Sequence, residues 1–210
     1  MANYLVFDNV VTPEVFTPFQ EFFMSPLATW KLDMIVYDPI KGETPAVNNY
    51  QGSCSLFDDL YQHIFYPNPY GHNGMDFNCR LDLLRPVMSQ LFTILNPLAT
   101  IRIKANVNFH TEGKVVEGHY HQDRVDEDGK GAFDSMFNAV FYLNTCDGYT
   151  RLKDENGEPG EKIMSQANRL AIFNNKHEHC GSSTSDTFAR FVVNINYVPS
   201  KNCPYHKELY

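Results

Sequence analysis

The chain is short of basic charge: 17 Lys and Arg stand against 25 Asp and Glu, a net charge of -8 over 210 residues. A protein that grips phosphate backbones neutralises them with clustered Lys and Arg, so this balance disfavours a general nucleic-acid binder. Long apolar runs are also missing. Nowhere do the roughly 18 consecutive apolar residues of a membrane span occur, and Met1 to Asp8 hold no basic stretch leading into an apolar one. Neither membrane insertion nor export is therefore expected. Cysteines are few: Cys54, Cys79, Cys146, Cys180 and Cys203 are odd in number and have no close pairs. That pattern leaves no Cys-rich zinc motif and predicts reduced thiols in the cytoplasm. Internal repeats and low-complexity linkers are absent too.

What is present fits one well-filled core, because 43% of the residues are hydrophobic and a chain of this length buries most of what it needs in a single domain. The organisation expected is a mainly helical region over 1–97, a strand-rich core over 98–199 and a tail over 200–210. Thr12-Pro13 offers a cap and a helix-compatible first position ahead of Val15, Phe16, Phe19, Phe22 and Phe23, although Pro18 favours a later start. Ser55 with Asp58 reads as a capping box before Leu56, Leu60 and Ile64. A third helix, about Leu81 to Leu95, carries Leu84, Met88, Leu91 and Leu95 at helical spacing. These stripes predict a layer covering one face of a sheet. Tyr66 to Gly74 reads as a connecting loop with three rings, with His72 a weak ligand candidate. Strands are expected at 100–109, 115–122, 137–144, 149–153, 162–165, 168–173 and 189–198, which predicts a sandwich or barrel. Arg102 and Lys104 alternate on one of them and read as a solvated strand face.

The chemistry concentrates in Gly118-His119-Tyr120-His121-Gln122-Asp123 and, further on, in His179 and Arg190. On an extended chain His121 and Asp123 leave the same face and can occupy adjacent positions on one cation. A second imidazole from elsewhere completes a set of two histidines and one carboxylate. Such a set leaves coordination positions open and is associated with mononuclear non-heme Fe(II) oxygenases. His119 and His177 share faces with His121 and His179, and read as supporting or surface histidines. Cys180 points away from its neighbour's face and reads as a packed thiol. Asn168 to Phe173, a polar turn to His179, then Arg190 to Tyr197 read as strand, ligand loop and strand.

Over about residues 98–199 the chain resembles the 2-oxoglutarate and Fe(II)-dependent oxygenases, and within them the prolyl-hydroxylase-like group. The family's strand ending in Tyr-Leu-Asn before a Gly-containing turn is similar to Phe141-Tyr142-Leu143-Asn144 and Asp147-Gly148-Tyr149-Thr150-Arg151-Leu152, with Asp147 in place of one glycine. Its Gly-Arg-Leu-x-x-Phe strand is similar to Asn168 to Phe173, with Asn168 at the glycine position. Asparagine tolerates positive φ better than most residues, so that change is mild. The resemblance implies a double-stranded β-helix, or jelly roll, as the core of a single oxygenase domain, mainly β with N-terminal helices. It implies that His121, Asp123 and His179 hold Fe(II), that Arg190 pairs with the distal carboxylate of 2-oxoglutarate, and that Tyr142 donates its hydroxyl there. O2 is the co-substrate and ascorbate an optional addition. The collagen-modifying branch typically has Lys where this chain has Arg190, so the resemblance places it nearer the oxygen-sensing branch or other oxygenases.

The expected activity is hydroxylation of a C–H bond with release of succinate and CO2, on a peptide, protein or small-molecule substrate, peptidyl proline being the nearest analogy. Arg124 to Met136, rich in Asp and Gly, reads as a lid following Asp123. Three alternatives stand beside this reading. A binding protein on a jelly roll with a vestigial metal site is one. A zinc hydrolase using the same ligands is another. The third is a cupin-type site, faintly suggested by His119-x-His121 with Glu127, but with Ser183 where a cupin expects Asn.

Overall fold

Along 189–199, Phe191, Val193, Ile195 and Tyr197 alternate with Arg190, Val192, Asn194 and Asn196, and a strand sends alternate residues to opposite faces. The computed structural model describes residues 3–34, 50–58, 81–123, 135–205 and 209. It places this strand at the middle of a seven-stranded sheet. Numbered in chain order, the sheet runs β1 (Tyr4–Asp8), β8 (Arg169–Asn174), β5 (Phe137–Tyr142), β10 (Ala189–Pro199), β4 (Pro97–Phe109), β3 (Tyr50–Asp58) and β2 (Lys31–Met34). Neighbouring strands are antiparallel. A second, antiparallel sheet holds β7 (Pro159–Met164), β6 (Tyr149–Lys153) and β9 (His179–Gly181). The core is a jelly roll.

The outer face of the large sheet is covered by α1 (Pro13–Phe23) and α2 (Leu81–Leu95). Phe16, Phe19 and Phe23 from the first helix and Leu84, Val87, Leu91 and Leu95 from the second join Ala105, Phe141, Ile172 and Val193 in one buried cluster. Each large side chain removed from water there contributes about 1.5–3 kcal/mol. On the inner face Val140, Tyr142, Ala171, Phe173 and Val192 meet Leu152 and Ile163 of the small sheet. The apolar filling stops short of the open end, where polar side chains take over.

Four sequence expectations change. The first helix starts at Pro13 and continues through Pro18. Pro18 and Glu14, whose carbonyl loses its partner, are both exposed, so water can satisfy that group while the buried phenylalanines hold the helix. Ser55 to Asp58 belong to β3 and not to a helix start, because pairing with β4 overrides the local capping pattern; Leu60 and Ile64 lie outside the described residues. The strand expected at 115–122 is reduced to isolated bridges, Glu117 to Ser182 and His121 to His179. There the Val116 N–H goes to the Ser183 hydroxyl at 2.8 Å, which takes it out of a regular ladder. Strands β1, β2, β3 and β9 were not among those the sequence pattern predicted. Tyr66 to Gly74, Glu127 and all of the expected lid but Ser135 and Met136 also lie outside the described residues.

Asn168 adopts φ 64, the left-handed region expected from its place in the pattern. Its side-chain oxygen accepts from the Val11 N–H at 2.9 Å and its amide donates to the Val11 carbonyl at 2.6 Å. A glycine would take the turn but could not tie the entry of α1 to the sheet.

Candidate metal centre and its pocket

His121 and His179 face each other across a bridge in which each backbone N–H donates to the other's carbonyl at 2.9 Å. Their rings lie 4.6 Å apart. His121 Nδ1 is 3.0 Å from the His119 carbonyl and His179 Nδ1 is 3.4 Å from the His177 carbonyl. A carbonyl only accepts, so each Nδ1 carries a proton, which leaves Nε2 as the nitrogen that can offer a lone pair to a metal. This is how His119 and His177 contribute: through backbone oxygens that orient their neighbours. Burial, with His121 nearby, pulls the His179 pKa down to about 4 against the opposing pull of Asp123, which keeps its ring neutral at pH 7.

Asp123 is buried beside them, Oδ1 3.8 Å from His121 Nε2 and Oδ2 4.0 Å from His179 Nε2. Burial raises its carboxyl pKa, but Arg102, then the two histidines and the Asn196 hydrogen bond, overcome this and hold it well below the usual carboxylate range. Among the described residues, one ligand atom from each of His121, Asp123 and His179 falls within 4.8 Å of the others. Cys180 is fully buried, and burial pushes its thiol up to about 11, unlike a thiolate ready to ligate.

The same pocket is lined by Arg190, Thr150, Asn108, Gln51, Asn106, Asn194, Arg102 and Lys104. Arg190 is 1% exposed, and among the described residues its hydrogen bonds go to neutral groups: Thr150 Oγ1 at 2.8 Å and Asn108 Oδ1 at 3.2 Å. Its Nε is buried and has no partner among the described residues. A buried guanidinium without a counter-anion is costly, and its fork matches a carboxylate. Gly148 makes room for its stem, since a Cβ there would lie 2.7 Å from Arg190 Cδ. Tyr142 does not line the pocket. It lies behind the clamp, its ring centroid 5.4 Å from the guanidinium and its hydroxyl 3.5 Å from the Ile163 carbonyl. Two imidazoles, an ionised carboxylate and an anion-seeking cation in one pocket suit a ferrous ion with a dicarboxylate chelator.

Residues 106–198 match the family model of the 2OG-Fe(II) oxygenase superfamily. Over these residues the chain is similar to that superfamily. Among curated proteins none matches the sequence. Of solved structures, a Trichoplax adhaerens prolyl hydroxylase in complex with a hypoxia inducible factor oxygen degradation domain peptide fragment shares the fold. Its TM-score is 0.61 at 12% identity, over 96% of this chain and 86% of that one. A Pseudomonas putida prolyl-4-hydroxylase aligns at TM-score 0.50 and 14% identity, over 94% and 93%. HygX from Streptomyces hygroscopicus, with nickel and 2-oxoglutarate bound, aligns at 0.50 and 14%, over 95% and 84%. The protein is thus a dioxygenase whose cofactors are Fe(II), 2-oxoglutarate and O2.

Arg102 departs from its expected place on a solvated strand face. In this oxygenase it turns into the pocket and pairs with Asp123 at 3.1 Å, while Lys104 lines the same wall. Gln51 and Asn108 also had no sequence assignment, yet they connect to the clamp. Asn108 donates to Gln51 at 3.3 Å, Gln51 donates to Asn106 at 2.7 Å, and Asn108 accepts from Arg190. A signal was available: polar residues at Arg102, Lys104, Asn106 and Asn108 recur with period two against apolar Ile103, Ala105 and Val107, as they do at Asn194 and Asn196.

Proposed function

We propose that this oxygenase acts as a single cytoplasmic domain that hydroxylates a C–H bond of a peptidyl or small-molecule substrate, converting 2-oxoglutarate to succinate and CO2. His121, Asp123 and His179 would hold Fe(II), and Arg190 would take the distal carboxylate of 2-oxoglutarate. The observation that carries the reading is the convergence of three ligand atoms within 4.8 Å in a pocket also lined by a buried guanidinium that has no anionic partner among the described residues. When bound, iron and 2-oxoglutarate supply the oxidising chemistry through O2 and oxidative decarboxylation. The chain's part is positional. The backbone bonds to His121 and His179 aim both Nε2 atoms, and the planar fork of Arg190 fixes the position and orientation of the diacid. Tyr142 supports that fork through its ring, and Thr150 and Asn108 fix its two terminal nitrogens. A zinc hydrolase would have no use for a buried dicarboxylate clamp.

Peptidyl proline is the substrate class nearest by analogy, in line with the likeness of fold to prolyl hydroxylases. The test is succinate release from 2-oxoglutarate under air with Fe(II), with zinc as the control, beside mass spectrometry for the gain of one oxygen on candidate peptides and metabolites. Iron-dependent succinate is expected; its absence with Fe(II), or hydrolysis of the candidates with zinc, would contradict the reading.

A further inference from the structure

Arg102 of β4 and Asn196 of β10 are register partners, and both reach Asp123. Arg102 Nη2 lies 3.1 Å from Asp123 Oδ1. Asn196 Nδ2 donates to Asp123 Oδ2 at 2.9 Å, and Arg102 Nε donates to Asn196 Oδ1 at 2.8 Å. The three bonds close a ring, so no member can rotate without breaking two of them. Asn196 Nδ2 also donates to Asn138 Oδ1 at 2.7 Å, and Asn138 in turn donates to Asn175 Oδ1 at 3.1 Å. The ring is therefore anchored across β4, β10 and β5, on backbone held by sheet pairing.

From these contacts we infer that Arg102 and Asn196 are positioning residues for metal binding, which keep the two Asp123 oxygens turned toward the Nε2 atoms of His121 and His179. A carboxylate offers about four acceptor sites over its two oxygens. The ring takes one on each and leaves the others for a cation. The planar fork serves Asp123 and Asn196 from two nitrogens held at fixed angles, whereas an ammonium is a point charge whose three donors leave one atom and fix no such plane. The sign of the effect separates this role from simple electrostatics. A cation so close to the ligand repels a metal ion, so on charge alone a neutral residue at 102 would tighten metal binding. On orientation, the same change loosens it.

The inference rests on the proposal that Asp123 is a ligand, and the experiment distinguishes the two. Mn(II) and Co(II) affinities would be titrated on the full chain as wild type, Arg102→Lys, Arg102→Met, Asn196→Ser and Asp123→Ala, with thermal melts to establish folding and Co(II) absorption spectra to report the ligand set. Both Arg102 variants and Asn196→Ser are expected to bind metal about 10- to 100-fold more weakly, with changed Co(II) spectra and no rescue by lysine. Wild-type or tighter affinity in Arg102→Met, or full rescue in Arg102→Lys, overturns the positioning role. Should Arg102→Met not fold, Arg102→Lys and Asn196→Ser decide by the same measure: weakening supports the role and wild-type affinity overturns it. Loss of metal in Asp123→Ala alongside unchanged affinity in Arg102→Lys would defeat the inference and leave the metal centre standing. Wild-type metal binding in Asp123→Ala would defeat the centre itself.

Discussion

The two faces of β10 differ in what they are built from. Toward the helices stand Phe191, Val193, Ile195 and Tyr197, all buried among apolar neighbours; toward the pocket stand Arg190, Val192, Asn194 and Asn196. A buried guanidinium held, among the described residues, by neutral partners contributes little to folding and can cost stability. The apolar face supplies what the polar face does not, so the chain can keep a binding-ready pocket without that pocket holding the fold together. Changes on the helix side should therefore move stability and leave ligand affinity alone, and changes on the pocket side should do the reverse.

The largest expected effect is on the helix side. Leu91 is fully buried in the α2 interface, and Leu91→Ala should lower unfolding free energy by about 2–5 kcal/mol through lost burial and a cavity. Urea denaturation would measure it, with 2-oxoglutarate and Mn(II) affinity of the folded fraction unchanged. On the pocket side, Arg190→Lys loses forked hydrogen bonding to a charged group worth about 1.5–3 kcal/mol. Calorimetric titration should accordingly show 2-oxoglutarate binding weakened by roughly ten-fold to more than a hundred-fold, with metal affinity retained. A smaller loss is expected at Asn168, where alanine would carry a side chain at φ 64 and lose both bonds to Val11. Thermal melts should place Asn168→Ala about 1–3 kcal/mol below wild type, and Asn168→Gly between the two.

The smallest effect sharpens the comparison through pH. Burial lowers His179 from 6.5 to about 4, so between those values the unfolded chain binds the proton more readily than the folded one. This contribution to stability is complete above about pH 6.5 and is lost as pH falls toward 4. Metal-free protein should show that decline in urea midpoint, and His179→Gln should flatten it; an equal slope in both would assign the decline to other groups.

How much of this was legible in the sequence depended on whether the signal was local. His121 and Asp123 share a face because they are two apart, α2 follows from Leu84, Met88, Leu91 and Leu95, and Asn168 could be placed at positive φ from its position in a strand motif. Arg102 was different. Its alternation with Lys104 is the pattern of a solvated face, and only the register of β4 against β10, nearly a hundred residues away, turns it toward Asp123. Ser55 and Asp58 mimic a helix cap for the same reason: local hydrogen-bonding preference is outweighed by a strand partner the sequence does not display. Tyr142 belongs to the pattern of the family, yet its place behind Arg190 follows from packing against Ile163 and Val192.

The most direct test of the shared pocket is a crystal structure of the protein with Mn(II) in place of iron and 2-oxoglutarate under anaerobic conditions. The account predicts the metal bonded to His121 Nε2, His179 Nε2 and an Asp123 oxygen, with the far carboxylate of the diacid on Arg190. A metal ion seated elsewhere, or a diacid whose far end lies away from Arg190, would contradict it.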